Sequence, residues 1–192
     1  MSTDPTPHLF WITNRAAGTA ALLLASVGVA LGLLMSSGWI RGRGLELRTT
    51  HETVSLATLL AIAVHGLALL GDNYIGFGPA DIAVPFVAAY KTLWTAAGIV
   101  AGWSLAALGL SYYARRRIGQ QRWRRLHRFS ALAWVLGLVH ALGEGTDAGQ
   151  AWFLAMVGIV VVPAALLLIE RVLPHASGAT ERPSESATNA AR

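Results

Sequence analysis

Four long stretches of this 192-residue chain, and a shorter fifth, are too apolar and too poor in charge to be packed inside a water-soluble core. A helix needs about 20 apolar residues to cross the hydrocarbon. Segment 16–35, "AAGTAALLLASVGVALGLLM", meets this without a single charge, and 92–113 and 151–169 meet it as well. Segment 53–70 does so apart from His65, and Pro163 gives the last span a point at which to kink. Segment 129–142 is the shortest and needs its arginine-rich approach to complete a crossing. Backbone polar groups in lipid have to be satisfied within the segment, so each of these reads as a helix. The fold class expected is all-α, a polytopic membrane helix bundle of about five transmembrane helices. Composition agrees, with 13% charged residues against about 25% in soluble domains. There is no cysteine, which excludes disulfides, thiolate metal sites, iron–sulfur clusters and cysteine nucleophiles.

Positive charge orients the bundle. Arg41, Arg43 and Arg48 follow the first span, seven arginines lie between Arg115 and Arg128, and Arg171, Arg182 and Arg192 follow the last. With five spans, 13 of the 15 basic residues fall on one side, leaving Arg15 and Lys91 on the other. Basic loops stay in the cytoplasm, so the N-terminus is expected outside and the C-terminus in the cytoplasm. Asp72, Asp81, Glu144 and Asp147 then mark the outer loops, as solvated residues or as an attraction for a cationic acceptor. Tryptophans 11, 39, 94, 123 and 152 lie near span ends, while Trp103 and Trp134 lie deeper. The first span is longer than a signal-peptide core and is expected to be retained. The chain divides into an N-terminal segment 1–15, a transmembrane domain 16–170 and a disordered cytoplasmic tail 171–192. Part of the long outer loop before Lys91 is expected to lie in the membrane interface.

Four of the six histidines fall into two pairs, His51 and His65 fourteen apart and His127 and His140 thirteen apart. Ionisable residues inside a span are functional candidates. Spans two and four run in the same direction, so His51 is level with His127 at the inner face and His65 with His140 about 20 Å further out. Facing histidines at two depths can form two bis-imidazole sites, each holding an iron porphyrin. The same histidines are also compatible with hydrogen bonds between helices, or with a transition-metal or proton path. At about 100° per residue, fourteen steps return close to one face, whereas thirteen miss it by roughly 140°. His8 and His175 are assigned no role. The arginine run is explained by topology, and Arg124, Arg125 and Arg128 are candidates to pair with haem propionates.

The stretches "HETVSLATLLAIAVHGLALLGDNYIGFGPADIAVPF" and "WRRLHRFSALAWVLGLVHALGEGTD" resemble the ferric reductase-like transmembrane domain. This superfamily includes NADPH oxidases, ferric-chelate reductases and the haem-binding membrane subunit of a bacterial sulfoxide reductase. The resemblance covers roughly 16–169. It implies that His51, His65, His127 and His140 ligate the iron of two b-type haems. It departs in having five spans rather than six and in lacking a flavin and nicotinamide domain. No G-x-G-x-x-G motif is present. The expected function is therefore a membrane b-type cytochrome that passes electrons to an outer-face acceptor. Its donor is a separate flavoprotein, the quinone pool, or a flavin or quinone at the cytoplasmic face. The alternative is a haem-binding or sensor subunit without transmembrane transfer. No catalytic residue and no nucleic-acid partner are expected. The expected location is the bilayer of a bacterial cytoplasmic (inner) membrane.

Overall fold

The computed structural model describes residues 8–37, 44–72, 74–145 and 147–173. Its helices, in chain order, are α1 Leu9–Ser37, α2 Gly44–Leu69, α3 Pro79–Ala83, α4 Thr92–Leu110, α5 Arg115–Ile118, α6 Gln120–His127, α7 Ser130–Glu144 and α8 Ala151–Val172. No strand occurs among the described residues. Five helical stretches are long and apolar enough to cross a membrane: α1, α2, α4, α6 with α7, and α8. The chain is thus an all-helical protein of integral membrane character. Trp39, Arg41, Arg43, His175 and most of the tail lie outside the described residues.

Several boundaries differ from the sequence reading. The first helix already begins at Leu9 and takes in Arg15, and the second begins at Gly44. The shortest expected span becomes a 25-residue crossing, Gln120–Glu144, once the arginine-bearing α6 is included. The span expected to reach residue 113 stops as a helix at Leu110, and residues 111–114 form turns.

Around the bundle, α1 packs on α2, α2 on α4, α4 on α7 and α7 on α1, with α8 outside against α1. This places α2 and α7 opposite each other across the ring, separated by α1 and α4. Small residues make the contacts, as expected where lipid removes the hydrophobic incentive for helices to associate. Ala21, Ala68, Ala96, Ala101 and Ala133 are all buried. Gly28 and Gly32 on α1, and Gly98 and Gly102 on α4, form small-xxx-small pairs against side chains of α2 and α7. On the far side of α1, Leu22, Trp134, Phe153, Val161 and Ala164 form the apolar cluster that seats α8.

Midway along the bundle, Trp134 of α7 is buried and its indole N–H donates to Ser26 Oγ at 2.9 Å. The Ser26 hydroxyl in turn donates to the Leu22 carbonyl at 2.7 Å. At one end of the bundle Arg15 forms an ion pair with Asp147 and stacks on Trp11, and Lys91 donates to the Gly143 carbonyl at 2.8 Å. The two basic residues assigned to one side by sequence therefore share an end. That end is partly closed by the loop after α2. Ile75 and Phe77 of the loop and Ile82 of α3 line the cavity, and Trp103 donates to the Ala83 carbonyl at 2.9 Å.

Candidate functional site

A cavity of about 640 Å³ runs between α2 and α7 from the Arg15 end towards the middle of the bundle. It lies within the ~300–1,000 Å³ range of small-molecule and cofactor pockets. His65 and His140 face into it, with Gly18, Gly98 and Trp134 on its walls and Asp81, Glu144 and Asp147 nearer its mouth.

The four span histidines form two pairs across the bundle. The ring centres of His51 and His127 are 6.1 Å apart with planes at 86°, and those of His65 and His140 are 6.2 Å apart at 72°. An N–H···N bond of about 2.9 Å between two imidazoles would bring their centres to about 5.1 Å. A ring nitrogen binds a metal at about 2.0–2.1 Å and lies ~1.1 Å from its ring centre, so two imidazoles on opposite sides of one ion have centres about 6.2 Å apart. Both pairs are near this second spacing, which also falls in the range of about 4.5–7 Å for edge-to-face rings.

Local architecture explains how the rings are held. His65 Nδ1 donates to the Asn14 carbonyl at 3.0 Å, His51 Nδ1 to that of Gly28 at 3.0 Å, and His140 Nδ1 to that of Trp94 at 2.9 Å. In each case a glycine sits four residues further along the neighbouring helix; a Cβ would lie 2.9 Å from the ring at Gly18 and 2.6 Å at Gly98, and 3.4 Å from it at Gly32. The carbonyl used is the one that the glycine's own N–H addresses in an α-helix, so the imidazole shares an acceptor already engaged by the helix. A carbonyl can only accept, so Nδ1 carries the hydrogen and Nε2 keeps its lone pair. A hydrogen bond of this kind from the other ring nitrogen is what orients a metal-ligating histidine.

His127 departs from this pattern. Its Nδ1 is buried against the Leu108 carbonyl without a well-formed hydrogen bond. Position 112, four residues beyond Leu108, is a tyrosine rather than a glycine. α4 has ended by then, and the Ser111 hydroxyl occupies the Leu108 carbonyl at 2.6 Å.

The thirteen-residue step is also accounted for. Between α6 and α7 the chain turns at Arg128 and Phe129, where Phe129 N–H bonds to Leu126 O and Ala131 N–H to Arg128 O, three residues back rather than four. Tightening and bending at this break change the helical phase, so His127 and His140 both face α2. Arg124, Arg125 and Arg128 are exposed, and none forms a hydrogen bond or ion pair with a described residue. Reading the sequence missed the three glycines and Trp123, which stacks on His127. One signal was present, since Gly18 and Gly32 are fourteen apart like the histidines they face.

Among the described residues, no group of three or more His, Asp or Glu side chains is arranged to hold a metal ion. Two imidazoles leave a bare zinc ion two ligands short of its usual four. They do suffice for a metal whose other four positions are filled by a macrocycle. Comparison with protein-family models, with curated proteins and with solved structures gives no match to this chain.

Proposed function

We propose that the chain is a membrane b-type cytochrome, as its resemblance to the ferric reductase-like domain implies, with two bis-histidine haem sites. His51 and His127 would hold the inner haem, and His65 and His140 the outer one. The observation that carries the reading is the spacing of both pairs, 6.1 and 6.2 Å between ring centres. Three further features support it: the Nδ1 bonds that free Nε2 in His51, His65 and His140, the glycines that these three rings face and, at the outer level, the apolar cavity lined by His65 and His140. When bound, haem supplies one-electron chemistry, and its potential is set by the ligands and their surroundings. The protein's part is to present two neutral imidazoles at each level, to exclude water and to keep the levels about 20 Å apart along the helices.

The arginine-rich end is the cytoplasmic one, and the Arg15–Asp147 end is outside. Electrons are taken from a separate flavoprotein, from quinone or from a flavin at the basic face, and pass to an acceptor outside. A bacterial cytoplasmic membrane suits this arrangement.

Full-length protein expressed with ample haem should carry a Soret band and two haems per chain. His51→Ala and His127→Ala should remove the same haem, and His65→Ala and His140→Ala the other. Absence of a Soret band under these conditions would falsify the proposal. One haem per chain, lost in His65→Ala and retained in His51→Ala, would reduce the protein to a haem-binding subunit without transmembrane transfer.

A further inference from the structure

We infer that Trp123 is the positioning residue for the His127 imidazole, holding by stacking the one ring of the four whose Nδ1 lacks a well-formed hydrogen bond; this rests on the reading of the histidine pairs as ligand pairs. Trp123 lies one helical turn before His127 on α6, where side chains four apart share a face. Its ring centre is 5.0 Å from that of His127 and the planes differ by 23°. The indole is fixed in turn, because its N–H donates to Ser111 Oγ at 3.1 Å and the Tyr112 ring meets its ring at 5.9 Å. Arg115 lies over the Tyr112 ring, 3.8 Å from its centre.

Ser111 has two roles here. Its hydroxyl donates to the Leu108 carbonyl, against which His127 Nδ1 is buried, and its oxygen accepts from Trp123.

The difference has a chemical consequence. A carbonyl acceptor fixes the tautomer and raises the basicity of a ligating imidazole, whereas a stacked indole fixes only the plane of the ring. The buried Nδ1 of His127 makes no well-formed hydrogen bond to the Leu108 carbonyl beside it, so stacking carries more of the orientation of this ring than of the other three. The inner level is accordingly the one that depends on Trp123.

The test compares the unaltered full-length chain with Trp123→Leu and Trp123→Phe in detergent micelles, before and after haem is added. In the unaltered protein, NMR should show the His127 ring protons displaced by the indole ring current. Trp123→Leu should remove that displacement. It should also weaken haem binding at the inner level by roughly 10-fold, the lower end of what losing an outer-shell partner costs. The low-spin ferric signal of the outer level should stay as it was, and Trp123→Phe should restore most of the inner one. Inner-level binding unaltered by Trp123→Leu overturns the inference while leaving the ligand pairs intact. So does a His127 ring with no displacement in the unaltered chain, a measurement that needs neither a folded variant nor haem. If no haem binds at either level, the ligand-pair reading fails, and with it the role given to Trp123.

Discussion

A Cβ added at Gly98 would lie 2.6 Å from Nδ1 of His140 and 2.7 Å from both its Cε1 and Cγ. Non-bonded heavy atoms settle at about 3.5–4.0 Å, so in Gly98→Ala the ring has to withdraw by about 1 Å. The Nδ1 bond to the Trp94 carbonyl, now 2.9 Å, would then be too long to count. Losing it costs about 1 kcal/mol, and residual crowding adds about 1–3 kcal/mol. The displacement is also several times the ~0.2 Å tolerance of a metal–ligand distance. Haem affinity at the outer level should fall about 10- to 100-fold, or roughly 1.4–2.7 kcal/mol. Gly32→Ala is the internal control. There the new Cβ lies 3.4 Å from His51 Cε1, so a shift of a few tenths of an ångström suffices. Gly18→Ala, at 2.9 Å from His65 Nδ1, should fall between the two. Haem titration followed by Soret absorbance, with thermal unfolding of the haem-free protein alongside, measures both effects. The reasoning is refuted if Gly98→Ala binds haem as the unaltered chain does, or if Gly32→Ala is equally damaging.

Further outcomes are expected elsewhere in the bundle. Arg15→Met leaves the Asp147 carboxylate, only 14% exposed, without its partner; it should lower stability in detergent by about 1–3 kcal/mol, measured by thermal unfolding. Trp134→Phe removes the indole bond to Ser26 but leaves the Ser26 bond to Leu22, so the loss should be only about 0.6–1 kcal/mol. Trp134→Ala also empties a buried site and should cost about 3–5 kcal/mol. Tyr113 donates to Glu52 Oε1 at 2.9 Å, and that hydrogen bond, helped by the carboxylate's charge, raises the phenol above its usual pKa. The folded state therefore keeps this proton longer than the unfolded chain does. The contribution is fully present below the ordinary phenol range and is lost as pH rises through the raised value. Ultraviolet titration should show one tyrosine ionising late, and Glu52→Gln should abolish that delay.

The histidine pairs illustrate how far the linear pattern reaches. That His51 faces His127, and His65 faces His140, followed from span count, arginine distribution and a rise of about 1.5 Å per residue. Each of these is a one-dimensional quantity. The phase of the thirteen-residue step did not follow, because it depends on the break at Arg128 and Phe129, where bonds to the third residue back replace bonds to the fourth. The haem-propionate role considered for Arg124, Arg125 and Arg128 came from proximity in sequence, and their side chains are exposed.

What the sequence determined by itself is the membrane character, the five crossings and the level of each histidine, since hydrocarbon thickness and helical rise act along a single chain. Only the tertiary structure decided which backbone carbonyl each imidazole meets, which glycine makes room for it and why His127 rests on Trp123 instead. Those contacts join helices far apart in sequence. The glycine that admits a ring and the carbonyl that holds it become a site only when a second helix packs against them at one particular height and rotation.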